Sequence, residues 1–187
     1  QIEAKFNELI AEEGQQLIGW RTAPTNAATL RKSAKDTAPF VRQLFIGAVG
    51  VEGLAFERKL YIIRKQVEHW ATAQGFTFYC PSMSSRTMVF KGLLNPEEVS
   101  TFYEDLQHEQ FVSAFALVHS RYSTNTFPSW QRAHPNRYII HNGEINTLRG
   151  NMNWMRAREQ RFVSEAFGDD LQKLLPIIDE TGSDSSM

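Results

Sequence analysis

The sequence places an arginine and two hydroxyl residues directly after a long apolar run, a combination suited to binding an anion. Arg121 follows the run SAFALVHS, and Ser123 and Thr124 lie beside it. An arginine at the end of an apolar strand can present two parallel N–H donors to one carboxylate, and neighbouring hydroxyls can complete the pocket. The alternative interpretation is a surface arginine in an ordinary ion pair. The position after a buried-looking strand favours the binding role.

A second polar pair, Asn142–Gly143, follows the apolar run RYIIH. Asn-Gly usually marks a tight hairpin between two strands. The next apolar residues recur at three- and four-residue spacing, which predicts a helix instead of a second strand. At such a corner, an amide side chain and an unobstructed glycine N–H could both donate to a carbonyl oxygen as it gains negative charge. The field of a helix starting directly afterwards would add to this stabilisation.

Two further sets of residues have a structural and a chemical interpretation. Asp184, in TGSDSS, is either a helix cap or a carboxylate that holds an ammonium group. His119, His134 and His141 are separated by 15 and 7 residues, which fits no simple metal-binding motif. We therefore predict no metal site and assign these histidines to hydrogen-bonded structure.

The composition excludes several classes of protein. Of the 187 residues, 42% are hydrophobic and 22% are charged, with a net charge of −1, which is typical of a soluble globular domain without a nucleic-acid or membrane partner. No apolar run approaches the roughly 20 residues that span a bilayer. The one cysteine, Cys80, excludes an internal disulfide and indicates a reducing compartment. It lies beside a proline with no adjacent basic residue, which predicts a buried, unreactive thiol. A row of arginines predicts a solvated helix face: Arg149, Arg156, Arg158 and Arg161.

The periodicity of apolar residues predicts alternating strands and helices. Two runs without polar alternation, 111–124 and 136–145, predict strands that are covered on both faces. Helices that cover sheets in this way indicate a layered α/β or α+β fold. The remaining predicted helices cover 2–14, 56–75, 95–106 and 146–167. Residues 15–26 are predicted as a strand that leads into a turn-rich loop, and the remaining strands cover 42–50 and two parts of 76–94.

The order of Arg121, Asn142–Gly143 and Asp184 resembles the class II glutamine amidotransferase family, whose members are N-terminal-nucleophile hydrolases. Within that family, HSRYSTNTFPSWQRAHPNRYIIHNGEINTLRGNMNWM is similar to the glutaminase domains of glutamate synthases, as are GWRTAPTN, SSRTMVFKG and TGSDSS. The resemblance covers most of residues 15–187. It implies an α+β fold, a four-layer αββα sandwich that is incomplete at both ends, with residues 1–187 as a partial amidotransferase domain.

The resemblance also implies a role for each candidate residue. Arg121 would bind the α-carboxylate of glutamine, and Asp184 would bind its α-ammonium group. Asn142 and Gly143 would form the oxyanion hole for the thioester-forming step, and Thr124 would line the pocket next to the arginine. No cofactor or metal is expected in this segment.

In the complete enzyme, the resemblance implies that ammonia from glutamine is used for the reductive amination of 2-oxoglutarate to glutamate. FMN and an iron–sulfur cluster would lie in the remaining synthase domains, and ferredoxin or a nicotinamide-nucleotide-oxidising subunit would supply electrons. The compartment would be cytoplasm or plastid. Two alternatives stay open: the glutaminase domain of another class II amidotransferase, and a non-catalytic relic of the fold.

One departure from the family concerns the nucleophile. In the family it is an N-terminal cysteine whose own amino group acts as the base, whereas this sequence begins with Gln1. Because Cys80 lies in an unrelated context, we expect the chain by itself not to hydrolyse glutamine. An assay of ammonia release by the purified chain checks this, and an appreciable rate would contradict it.

Overall fold

The structure is a computed structural model, and it describes residues 1–120, 127–140, 147–180, 182 and 185. The described part is a mixture of helices with one small antiparallel sheet, in agreement with the predicted α+β class. No helix in it is both long and apolar enough to cross a membrane. The elements are α1 (Ile2–Glu12), β1 (Gln16–Thr22), α2 (Lys32–Asp36), β2 (Arg42–Gly47), α3 (Gly53–Ala73), α4 (Pro96–Phe102), α5 (Leu148–Glu159) and two 3-10 helices, Glu104–Gln107 and Gly168–Leu174.

The main core lies between α1, α3 and the sheet. Strands β1 and β2 pair antiparallel, and one of their faces lies on the two helices. Ile63 and Val67 of α3 have no exposed surface, since helical spacing aims both side chains at α1. Gly14 and Gly75 follow the two helices with φ of +69° and +72°, a conformation that glycine adopts without strain and that ends a helix. The core comprises Phe6, Leu9, Ile10, Ile63 and Val67, with Trp20, Leu44, Ile46 and Phe78 packed against it.

A second core surrounds the end of α4. The helix begins as the sequence predicts, with the Asn95 backbone N–H donating to the Glu98 carboxylate at 2.7 Å. Trp130, 4% exposed, lies with its ring 5.1 Å from that of Phe102. Its indole N–H lies 3.2 Å from the Ala34 carbonyl oxygen. This cluster therefore fastens residues around 130, which are distant in sequence, to α2 and α4.

A buried carboxylate joins three helical elements. The Glu13 side chain is 3% exposed and accepts hydrogen bonds from Lys59 at 2.8 Å, Lys173 at 2.7 Å and Gln66 at 3.1 Å. Burial alone would raise the pKa of this carboxyl, but the hydrogen bonds from the two lysines and the glutamine outweigh it and the pKa is lowered. Asp170 also accepts from both lysines. The cluster holds the 3-10 helix Gly168–Leu174 against α1 and α3.

Four of the predicted strands are wrong in the part of the chain that the structure describes. Residues 76–94 contain no strand, residues 111–120 are irregular, and residues 136–140 form a turn closed by a single bridge between Asn136 and Ile139. Val112 and Phe115, expected to be covered on both faces, are 85% and 75% exposed. The apolar pattern alone is insufficient because a strand also needs a neighbouring strand to pair its backbone, and these segments have none among the described residues.

The Glu13 cluster yields a prediction about stability. Glu13→Gln leaves Lys59 and Lys173 without their buried carboxylate, and we expect the free energy of unfolding at pH 7 to fall by about 2 kcal/mol in urea titrations. The pKa of Glu13 is lowered from its ordinary 4.5, so this contribution is present above pH 4.5 and is lost as pH falls through the lower folded value. The difference in unfolding free energy between wild type and variant should therefore shrink in acid.

Asp36→Asn, which breaks an exposed pair with Lys32, serves as the control and should cost less than about 0.5 kcal/mol. Equal losses in the two variants would contradict the assignment.

The packing of Gly92 yields a second prediction. A Cβ at this position would overlap the ring of Trp130, which is buried and hydrogen-bonded and so cannot move aside. We expect Gly92→Ala to lower stability by about 1–3 kcal/mol, measured by thermal unfolding. The matched control is Gly19→Ala, because a Cβ there meets no atom within 4 Å. An unchanged melting temperature for Gly92→Ala would refute this packing.

Candidate functional site

The predicted site residues all lie outside the described residues. These are Arg121, Thr124, Asn142, Gly143 and Asp184, and Ser123 and His141 lie outside them as well. Their assignment therefore stays a prediction from the sequence. What the structure describes is the chain on either side of each of them, and the contacts that these flanking residues make.

The first set of contacts concerns residues 127–140, here called the connector, which leads from the Arg121 segment to the Asn142 segment. His119, two residues before Arg121, has its ring centroid 4.6 Å from that of His134 in the connector. The chain that enters the first predicted segment thus lies against the chain that leads to the second. Because this is a contact between two rings, the hydrogen-bonded role predicted for His119 stays a prediction.

The connector is also held by a buried lysine, Lys91, which is 7% exposed. Its Nζ donates to the Gln131 carbonyl oxygen at 2.7 Å and to Asn136 Oδ1 at 3.3 Å. The hydroxyl of Tyr103 donates to the Lys91 carbonyl oxygen at 2.7 Å. Burial lowers the pKa of the Lys91 ammonium to about 8. Sequence reasoning does not single out this residue; the only signal is a lysine inside the apolar run MVFKGLL.

The chain before Asp184 is fastened to α5 and α3. Arg156 of α5 forms an ion pair with Glu180. Glu159 Oε1, at the end of the same helix, accepts from the backbone N–H groups of Ile177 at 2.7 Å and Ile178 at 3.3 Å. From the other side, Lys65 Nζ of α3 donates to the Ile177 carbonyl oxygen at 3.1 Å. The helix that follows Gly143 is therefore joined to the segment that precedes Asp184.

Helix α5 differs at both ends from the predicted helix 146–167, and it ends at Glu159 instead of residue 167. It begins at Leu148 after Thr147, whose φ is +61°, and not directly after Gly143. Because the field of a helix falls off within its first turn, the predicted contribution of α5 to an oxyanion hole at Gly143 is correspondingly smaller. The predicted solvated face is confirmed, since the arginines of this region are exposed: Arg149, Arg156, Arg158 and Arg161.

The structure supports the interpretation of Cys80 as an unreactive thiol. The residue is partly buried, and its Sγ donates to the Ser82 carbonyl oxygen at 3.3 Å. Burial raises the pKa of the thiol to about 12, so the thiolate that acts as a nucleophile is scarce at neutral pH. Cys80 is therefore a poor substitute for an activated cysteine.

The described residues contain no metal-binding cluster, and the cleft that they form is large and open. No group of three His, Cys, Asp or Glu side chains among them could hold a metal ion. An open cleft of about 1510 Å³ runs from the sheet along residues 76–91 to Trp130 and Gln131. It exceeds the roughly 300–1,000 Å³ of typical ligand pockets, and its lining is mainly apolar, so we do not assign it to an amino-acid substrate.

Comparison with known proteins identifies the family. The sequence matches the family described as glutamine amidotransferases class-II over residues 1–187. It is 63% identical to the glutamate synthase (NADPH) large chain of Bacillus subtilis over 188 aligned residues. This alignment covers 100% of this chain and 12% of that protein. It is 43% identical to the glutamate synthase (NADH) of Schizosaccharomyces pombe, over 97% of this chain and 9% of that protein. It is 40% identical to the chloroplastic ferredoxin-dependent glutamate synthase of Spinacia oleracea, over 96% of this chain and 11% of that protein.

The chain therefore spans about a tenth of the length of these relatives. The family match covers residues 1–187, and the alignments with the three relatives cover nearly the same residues. With every residue from Gln1 to Met187 included in the match, this chain belongs to the class II glutamine amidotransferase family.

Proposed function

We propose that this chain is the glutamine-hydrolysing part of a glutamate synthase, which uses the released ammonia to convert 2-oxoglutarate into glutamate. The observation that carries the proposal is similarity along the whole chain to glutamate synthases from a bacterium, a fungus and a plant. The sequence adds a specific feature: the HNG motif continues as EINTLRGN, which distinguishes glutamate synthases from other class II members.

The proposed substrate site holds glutamine by both of its charged groups. The planar guanidinium of Arg121 would pair with the α-carboxylate through two parallel hydrogen bonds. The carboxylate of Asp184 would accept from the α-ammonium group, and Thr124 would line the pocket beside the arginine. With the charged head fixed, the side-chain amide of the substrate extends toward Asn142 and Gly143. Such positioning lowers the barrier by making the later attack intramolecular in effect.

The proposed chemistry takes place at that amide. The family nucleophile, the thiol of an N-terminal cysteine activated by its own amino group, attacks the amide carbon. The tetrahedral oxyanion would accept hydrogen bonds from the Asn142 side chain and the Gly143 N–H, each worth about 10²–10³ in rate. Breaking the C–N bond releases ammonia and leaves a glutamyl thioester, which water hydrolyses to glutamate.

Two sets of described contacts support one shared pocket. The His119–His134 contact brings the chain next to Arg121 to the connector that leads to Asn142. The Arg156–Glu180 ion pair brings α5, which follows Gly143, to the chain that precedes Asp184. The residues next to each predicted segment therefore contact residues next to another predicted segment.

The complete domain would have the four-layer αββα sandwich of N-terminal-nucleophile hydrolases, of which residues 1–187 form part. FMN and an iron–sulfur cluster would belong to other regions of a glutamate synthase. The residues of this chain do not fit such a cluster, because it needs several cysteine thiolates and the sequence has one cysteine, whose thiol has a raised pKa. Electrons would come from ferredoxin or from a nicotinamide nucleotide, as the names of the relatives indicate for those proteins.

Two other functions compete with this proposal. A glutaminase domain serving another class II amidotransferase would have the same pocket but a different acceptor domain. A non-catalytic relic would keep the fold and lack the nucleophile. Measurement of glutamine-dependent glutamate formation from 2-oxoglutarate by the full translated polypeptide that carries this sequence separates the three. Glutaminase activity without glutamate formation favours the first alternative, and absence of both activities favours the second.

The proposed roles predict two different kinetic effects in that polypeptide. Arg121→Lys replaces a two-pronged contact by a point charge, so we expect KM for glutamine to rise about tenfold or more with a smaller change in kcat. Asn142→Ala removes an oxyanion donor, so kcat should fall about 10²–10³-fold with little change in KM. Arg149→Lys, an exposed substitution on α5, is the control and should change neither. Equal effects of the first two variants on KM and kcat would contradict the assigned roles.

A further inference from the structure

We propose that Lys91 is a positioning residue for this reaction: its ammonium group fixes the connector and thereby sets the relative placement of the Arg121 and Asn142 segments. The inference rests on the proposed function, since it assumes that these two segments bind the same glutamine. Lys91 lies in the lining of the open cleft, which is not assigned to the substrate, so no contact between Lys91 and glutamine is assigned.

The first argument is the double attachment. One ammonium group contacts the connector at two points, the Gln131 carbonyl oxygen at 2.7 Å and Asn136 Oδ1 at 3.3 Å. Residues 131 and 136 belong to an irregular segment that pairs with no strand among the described residues, and a segment of this kind samples many conformations unless it is tethered. Two attachments to one buried group restrict it to a narrow range.

The second argument is that the lysine is itself held in place. Its backbone carbonyl accepts from the buried Tyr103 hydroxyl. The neighbouring Gly92 packs so closely on Trp130 that no Cβ could be accommodated. Lys91 Nζ also lies 5.9 Å from the centre of the Tyr79 ring. Lys91 is thus held by residues of the second core. Its ammonium group therefore fixes the connector relative to that core.

The third argument concerns the energetic cost. The hydrogen-bond partners of the Lys91 ammonium among the described residues are neutral oxygens, and no ion pair with a carboxylate is formed there. A buried cation with neutral partners is a poor stabiliser, because an apolar side chain of similar size is often as stable or more so. Its presence is better explained by the geometry that it imposes than by the stability that it adds.

The fourth argument is the position of the connector relative to the predicted chemistry. It spans the interval between the two segments that would hold the charged head of glutamine and its amide. His134, between the two attachment points, contacts His119 at the entrance to the Arg121 segment. A shift of the connector would therefore move one segment relative to the other, and a displacement of about 1 Å can cost about 100-fold in rate.

The test uses the full polypeptide with Lys91→Met, which keeps the length of the side chain and removes its donors. We expect kcat for glutamine hydrolysis to fall about 10- to 100-fold and amide hydrogen exchange in residues 131–136 to accelerate about tenfold. Lys91→Arg retains a charged donor and should recover most of the lost kcat. Lys65→Met is the matched control, because Lys65 is also 7% exposed and donates to a backbone carbonyl, that of Ile177, outside the connector. It should leave exchange in residues 131–136 unchanged.

A second variant keeps the inference testable should Lys91→Met fail to fold. Asn136→Ala removes one attachment point from the partly exposed connector and should lower kcat and accelerate connector exchange in the same direction. In combination with Lys91→Met its effect should be less than additive, since both changes break one contact.

Wild-type kcat in Lys91→Met, or unchanged connector exchange with equal losses in Lys91→Met and Lys91→Arg, would overturn the inference. Absence of glutaminase activity in the wild type would instead overturn the proposed function, and the exchange measurement would still decide whether Lys91 holds the connector.

Discussion

The burial of α3 is the constraint on which the described structure depends. One side of this helix meets α1 and the sheet, where Ile63 and Val67 lose all contact with water. The opposite side meets the 3-10 helix Gly168–Leu174, and its Ile62 is likewise buried. The position of this helix is fixed by the apolar area that it buries. Its polar side chains can therefore hold other segments of the chain in place. Lys59 and Lys65 use this support, and they attach the C-terminal part of the chain through Asp170 and the Ile177 carbonyl oxygen.

The candidate site is built on a different support. The predicted substrate residues belong to segments flanked by the connector, by α5 and by the chain after residue 175. These flanks are joined by polar contacts, such as those of Lys91, Glu159 and Arg156, in addition to the burial of a few apolar side chains: Trp130, Ala133 and Ile178. Polar tethers fix distance and direction, whereas apolar packing mainly supplies stability. A site arranged in this way gains geometric definition while the stability of the domain rests elsewhere.

The elements that were predicted correctly differ in kind from those that were not. The first helix, the strand pair, the long helix and the capped start of α4 are predicted correctly, because each depends on local periodicity and on its own end signals. The strands predicted at 111–124 and 136–145 are not formed in their described parts, since pairing requires a partner that no local pattern contains. The site residues Arg121, Asn142 and Asp184 are inferred from the order of motifs in the sequence, and their roles stay a prediction.

The sequence by itself determined the family and the helices whose apolar residues recur at helical spacing, and it predicted the chemistry of the charged and amide residues. The tertiary structure decided which distant residues meet. It buried Glu13 between Lys59 and Lys173, and it placed the Lys91 ammonium against the connector. Neither contact has a sequence signature, because a lysine in a run of apolar residues becomes an anchor only when folding brings acceptors to it and removes the water that would otherwise solvate it.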